Sequence, residues 1–356
     1  MENAKETMLN SLQSLCGQHF EYGHFTHVHF QCGSLFLPKT WAEYSMCKSP
    51  LNRYDLASLA KAIVTSPLVF SSLAKEGKAL SCSLKEWLGN SPSKFSQDIL
   101  RLPIASLLSH RSGLPDWRCL WAICLDENYQ RLEPRDRLYF RLNQLANVIR
   151  KPGEYIYSDI GFIILGMLLE EKYELGLDKQ FEKLKIEMGL STNTLSFNTE
   201  LWQREQSIPV GYCPVRQRTL KGEVHDENAS VLNGIMGHAG LFGTAEDIAN
   251  FLVAMMNTDW GKWLVKENLL LRNNENKMLG LCGWHQGRGD SSRCFANGNS
   301  IGHLGFTGTA FWLEPNSHLY GILLSNRVIE RRISPWITDF RANAFALMDK
   351  YLGSLR

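Results

Sequence analysis

The sequence predicts an α+β fold in which the two ends of the chain build one antiparallel sheet and a mainly helical region is inserted between them. Two β-patterned stretches carry the prediction, one at 24–37 and one spread over roughly the last hundred residues. A helix-patterned stretch at 80–200 separates them. Strands near both termini with helices between them imply that the termini share a sheet.

Taken in order, residues 1 to about 17 read as an amphipathic helix, because Met8, Leu9, Leu12 and Leu15 recur at helical spacing. Phe25, His27 and His29 then alternate with Thr26, Val28 and Phe30, and Cys32-Gly33 divides 24–37 into two antiparallel strands. His24, His27 and His29 bring no carboxylate or cysteine at ligand spacing, so His27 and His29 read as one solvated strand face rather than a metal site. After Ser58, the apolar positions Leu59, Ile63, Val64, Leu68, Val69 and Leu73 sustain a long helix that reaches Gly77, a C-cap. The apolar run at 160–169 is about half of the roughly 20 residues a membrane helix needs and reads as a buried helix. Gly234, Gly237, Gly240 and Gly243 lack the strand and helix context of a phosphate-cradling loop and read as a tight backbone crossing. Thr244 N-caps the next helix, with Asp247 at its third position. Strands follow at 279–284, 300–304, 310–314 and 319–325, and a closing helix spans 335–352. Loops at 118–132 and 273–299 are the segments that would shape a pocket.

Composition narrows the function classes. The 356 residues suffice for one large domain or two closely packed ones, and 44% hydrophobic with 21% charged residues is ordinary for a soluble globular chain. A formal net charge of +2, with both signs interspersed, gives no electrostatic reason to propose nucleic acid or a membrane surface as partner. The first seven residues mix charges and precede no apolar core, so a secretory signal is not expected. Nine cysteines without a repeating interval or a Cys-x-x-Cys point the same way, to a reduced, cytoplasmic chain.

Chemistry enters with Ser-x-x-Lys. On a helix, positions i and i+3 lie one above the other, so a lysine there can take or relay the serine's proton. The pattern occurs at Ser58–Lys61 and also at Ser45–Lys48, Ser72–Lys75 and Ser91–Lys94. Only Ser58 stands at a helix start, where free N–H groups and the positive dipole end face a reacting oxygen. Tyr157, immediately before the apolar helix, leaves its phenol free to point into a cleft.

Three stretches in a fixed order, Ser58-x-x-Lys61, Tyr157-Ser158-Asp159 and His303-Leu304-Gly305, resemble the three motifs of the serine β-lactamase and penicillin-binding-protein superfamily. The chain is most similar to the class C β-lactamase-like branch, which includes carboxylesterases, D-amino-acid peptidases and DD-peptidases. Segments 107–115, 224–229, 237–242 and 305–309 support the resemblance, which covers about 55–328. It implies a β-lactamase-like fold with a sheet region, 1–65 plus 245–356, a mainly helical region, 66–244, and an active site in the groove between them. Ser58 would attack the acyl carbon, while Lys61 and Tyr157 would share the base role and later protonate the leaving group. Backbone N–H groups of Ser58 and Phe306 would form the oxyanion hole. Asp159, His303 and Gly305 would contact substrate. The mechanism implied needs no metal and no cofactor.

Two positions depart from the family pattern. Asp159 stands where asparagine is common, and its carboxylate favours a protonated Lys61, leaving more of the proton transfer to Tyr157. His303 stands where lysine is common and is expected to titrate near neutrality. Both departures fit an esterase or peptidase better than an efficient β-lactamase. The expected substrate is a small ester, amide or short peptide, including peptides from peptidoglycan turnover. A weak β-lactamase and a catalytically silent binding protein on the same scaffold are the rival readings.

Overall fold

The structure is a computed structural model that describes residues 2–36, 39–126, 132–146, 152–198, 200–271, 282–286 and 300–354. Helix α1, Glu2–Glu21, leads into strands β1, His27–Ser34, and β2, Lys39–Cys47. Strand β3, Tyr54–Asp55, precedes the Ser58 turn, a π-helical segment Lys61–Thr65 and helix α2, Ser66–Glu76. The helical stretch includes Pro134–Ala146, Asp159–Tyr173 and Leu177–Glu187. Short strands β4, Ser196–Phe197, β5, Pro209–Cys213, β6, Arg218–Lys221, and β7, Leu241–Gly243, follow it. After the Ala245–Met256 helix come β8, His285–Gln286, β9, Ile301–Leu304, β10, Ala310–Glu314, and β11, Leu319–Ser325, before the closing helix Trp336–Gly353.

Six strands form one antiparallel sheet in the order β2-β1-β11-β10-β9-β8, so both ends of the chain share it as expected. Because side chains alternate across a strand, the sheet buries two faces. Leu319 and Leu323 of β11 pack with Met8, Leu12 and Phe345 of the terminal helices. Tyr320, Ile322 and Leu324, one position out of phase, join a second core with α2 and the Ala245–Met256 helix. The α+β architecture is therefore a central sheet with helices on both sides.

Two expectations change here. The described part of 24–37 holds one strand, His27–Ser34, and Gly33 marks a register shift against β2 rather than a turn. Strand β2, not read from the sequence, is the partner. His27 and His29 are not on a solvated face, since β1 lies between β2 and β11 with helices on both sides. His27 is 3% exposed and its Nε2 meets Ser49 Oγ at 2.7 Å, while His29 pairs with Glu43 at 2.8 Å. Of the strand expected at 279–284, residues 279–281 lie outside the described residues, and pairing begins at His285. Residues 127–131 of the first pocket loop, all of the second except 282–286, and Cys294 also lie outside them.

The Asp159–Tyr173 helix is buried from Ile160 to Leu169. Gly237 crosses it so closely that a Cβ there would stand 2.2 Å from the Phe162 carbonyl oxygen. The glycine cluster thus works as the tight crossing expected. Gly77 ends α2 in the left-handed region, and Thr244 and Asp247 form a capping box. Among the described residues, no helix is long and apolar enough to cross a membrane.

Candidate active site

Ser58 is presented by a strained turn. Strand β3 pairs with β7, Leu56 N–H reaches the Leu241 carbonyl at 2.9 Å, and Ala57 then adopts φ +47, a conformation costly for a residue with a Cβ. The buried Asp55 carboxylate holds this bend, accepting from Ala57 N–H at 2.9 Å and from His225 N–H at 2.7 Å. Burial pushes the Asp55 carboxyl up to about 6, against those two backbone donors.

The turn after β9 is latched to the same bend. Thr307 Oγ1 donates to the Asp55 carbonyl at 2.7 Å and Thr309 Oγ1 to the Leu56 carbonyl at 3.2 Å. The buried Arg341 clamps the turn from behind, its Nη2 donating to the Gly305 and Thr309 carbonyls at 2.6 and 2.9 Å. Gly305 fits only without a side chain, since a Cβ would lie 2.0 Å from Thr309 Oγ1. Among the described residues, no backbone carbonyl accepts from the N–H of Ser58 or of Phe306. Both stay available to a ligand in the cleft of about 660 Å³ that Ser58 and Phe306 line.

Lys61 lies under Ser58, fully buried, with Nζ 2.9 Å from Ser58 Oγ, 3.2 Å from the His238 carbonyl and 2.7 Å from Asp159 Oδ1. Burial alone would lower its pKa, but the Asp159 carboxylate and the Tyr157 phenol outweigh burial and raise it to about 12. Tyr157, whose hydroxyl bonds to Ser58 and Lys61, is itself raised by burial, with the Lys61 cation opposing. Ser58, Lys61, Tyr157 and Asp159 therefore meet at one point, where Asp159 favours the charged form of Lys61 and burial favours the protonated phenol of Tyr157.

His303 sits elsewhere than the motif order suggests. It is 0% exposed behind the cleft wall, its Nδ1 donates to the Leu304 carbonyl at 2.8 Å, and burial lowers its pKa well below the usual histidine value. It does not titrate near neutrality, because every face of the ring is covered. In front of it stands His285, stacked at 4.2 Å between ring centroids and lining the cleft. His110, in a left-handed conformation at φ +57, packs 4.6 Å from the Tyr157 ring and accepts from Ser158 N–H at 2.9 Å. The cleft also meets Asp226, which burial would raise but the His238 imidazole at 2.9 Å holds down at about 2.

His285, His110, Asp226 and His238 had no assigned role from sequence. Three of them fall in segments that carried the resemblance, and that was their only signal. His285 follows Trp284 at the foot of a two-residue strand, too short for a periodic pattern.

A family model described as Beta-lactamase matches residues 49–343. A putative D-alanyl-D-alanine carboxypeptidase of Salmonella typhi is 28% identical over 310 residues, covering 77% of this chain and 69% of that one. Among solved structures, the D-amino acid amidase from Ochrobactrum anthropi SV3 complexed with L-phenylalanine amide superposes with a TM-score of 0.69 at 18% identity, covering 98% of this chain and 100% of that one. An octameric penicillin-binding protein homologue from Pyrococcus abyssi gives 0.68 at 16% identity over 96% of this chain and 77% of that one. At such identities the likeness to these structures is one of fold.

Proposed function

Because the chain belongs to the Beta-lactamase family and is a serine hydrolase, we propose that it cleaves a small ester or amide through a covalent acyl-enzyme on Ser58. One observation carries the assignment: Lys61 Nζ lies 2.9 Å from Ser58 Oγ in a buried site that also holds Tyr157. The cleft lies between the sheet region, 1–65 plus 245–356, and the mainly helical region, 66–244.

Lys61 and Tyr157 act as one titrating unit, since each perturbs the other and their protons are shared. Loss of one proton from the pair creates the base. It takes the Ser58 proton as Oγ attacks the acyl carbon, and the same proton passes to the leaving group. The N–H groups of Ser58 and Phe306 receive the developing oxyanion, where one such donor is typically worth roughly 3–4 kcal/mol of barrier. Water then attacks the acyl carbon, and Ser58 leaves as the hydroxyl. Asp159 holds the pair protonated at rest, which fits reactive esters better than β-lactams. Gly305 keeps the oxyanion turn close to Ser58. His303 serves from behind the wall, as support for His285.

The test uses wild type and Ser58→Ala with a fluorophosphonate probe and chromogenic esters. Labelling and turnover by the wild type alone are expected. A wild type that does neither, or a Ser58→Ala variant that matches it, overturns the nucleophile. Peptides from peptidoglycan turnover are a narrower candidate substrate, supported by the name of the Salmonella relative. No product from muropeptides removes that candidate and leaves the ester reading intact.

A further inference from the structure

We propose that His285 is a specificity-determining residue that hydrogen-bonds an uncharged polar group of the substrate, an amide or a hydroxyl, and disfavours a free carboxylate at that place. The inference rests on the hydrolase reading of Ser58 and narrows its substrate class.

His285 is 2% exposed, lines the cleft beside Tyr157, and among the described residues neither of its ring nitrogens has a hydrogen-bond partner. A buried polar pair without partners is costly, and most such groups in folded chains are satisfied. Here the cleft is the side from which a partner can come. The ring cannot swing away to find another, because His303 stacks on it at 4.2 Å and Tyr157 meets it edge-on at 5.5 Å.

Its chemistry selects the partner. A neutral imidazole offers one N–H donor and one acceptor nitrogen. An amide or hydroxyl can donate to or accept from whichever ring nitrogen faces the cleft, so it pairs with either tautomer. A carboxylate only accepts, so it requires an N–H at that nitrogen and favours a ring that gains a proton. Burial opposes that gain, as does the nearby Lys61 cation, which together hold His285 down at about 3.

Among the described residues, the cations around the cleft already direct N–H groups at protein acceptors. Lys61 is paired with Asp159, and Arg332 with Glu227. Arg341 is spent on the Gly305 and Thr309 carbonyls, and Arg327 donates to the Phe306 and Arg332 carbonyls at 2.7 and 3.0 Å. A free carboxylate therefore finds protein-committed cations and a ring that resists protonation.

The experiment compares two matched ester pairs. The p-nitrophenyl esters of succinamic and succinic acid vary the acyl side. The acetate esters of 3-hydroxybenzamide and 3-hydroxybenzoate vary the leaving side. After subtraction of each ester's enzyme-free rate, which in the succinyl pair includes attack of the chain's own carboxylate or amide on the ester carbonyl, and after correction for hydroxide-catalysed rates, the wild type should favour the amide member of at least one pair by roughly tenfold or more in kcat/KM. His285→Phe should abolish that ratio through KM, and His285→Gln, which keeps a donor and an acceptor, should restore part of it. Equal use of both members of both pairs by the wild type overturns the proposal, whether or not the variants fold. So does an amide preference that survives in His285→Phe. Fluorophosphonate labelling of the wild type separates the two readings: a labelled enzyme without amide preference sinks this inference alone, and an unlabelled one sinks the nucleophile beneath it.

Discussion

Asp159→Asn isolates the charge that distinguishes this site. Asp159 Oδ1 lies 2.7 Å from Lys61 Nζ, and at an effective dielectric near 20 that contact is worth about 6 kcal/mol, or roughly 4 pKa units. Lys61 stands at about 12 with the carboxylate present. Without it, the pKa of the Lys61–Tyr157 unit should fall toward about 8, by the same Coulomb arithmetic. At pH 8 the deprotonated fraction then rises by three to four orders of magnitude, on the order of 10³–10⁴. A weaker base pulls less on the Ser58 proton, so the net gain in kcat/KM is roughly tenfold to a hundredfold. The assay is kcat/KM for a p-nitrophenyl ester between pH 6 and 10, corrected for spontaneous hydrolysis. Wild type should still be climbing at the alkaline end, and Asp159→Asn should level off near pH 8 and exceed wild type below it. Superimposable profiles would refute the reasoning. So would a uniform loss in the variant, which would make the carboxylate itself a participant. Stability gives a second readout. Lys61 is raised above its ordinary value of 10.5, so its pairing stabilises the fold at pH below 10.5, and that contribution is lost as pH rises through about 12. Asp159→Asn should therefore melt at lower temperature than wild type at pH 7.

Other substitutions probe the frame around Ser58. Asp55 is raised from 3.8 to about 6, so the folded state holds its proton more tightly, and stability from this group falls as pH rises across that interval. The step is about 3 kcal/mol for two pKa units, and Asp55→Asn should flatten it in urea midpoints compared between pH 4 and 7. The variant should also be less stable overall, because an amide NH₂ replaces the acceptor facing His225 N–H. Thr307→Val removes the bond to the Asp55 carbonyl and lets the Phe306 N–H drift. It should lower kcat by roughly tenfold or more with KM little changed, the signature of a donor felt in the transition state. Gly237→Ala drives a Cβ to 2.2 Å from the Phe162 carbonyl and should cost roughly 1–3 kcal/mol, read as a lower melting temperature.

Patterns that depend on neighbours along the chain were legible. The buried run before Leu169, the cap at Gly77 and the strands Ala310–Glu314 and Leu319–Ser325 follow from spacing and from turn chemistry. So did the choice of Ser58 among four Ser-x-x-Lys pairs, because a helix start is a local property and the three-motif order needs no coordinates. The pairing of Asp159 with Lys61 was anticipated from charge, and the two groups do meet. Strand β2 does alternate, with Ala42, Tyr44 and Met46 toward the core against Glu43 and Ser45, so its pattern was present in the sequence.

Burial across the sheet is a different kind of quantity. His27 and His29 looked solvated because alternation reports which residues share a face, and only the neighbouring strands and helices decide whether that face meets water. His303 fell to the same ambiguity: its motif places it near Ser58 in sequence order, yet packing against His285 and Tyr157 puts it behind the wall and keeps it neutral. His285 itself, far from every motif, reaches the cleft only through the pairing of β8 with β9. Sequence alone determined the fold class, the family motifs and the nucleophile candidate, since these rest on local periodicity and residue order. Tertiary structure decided which histidine lines the cleft and which way the pKa of Lys61 moves, because desolvation and Coulomb energy depend on distances that no stretch of sequence contains.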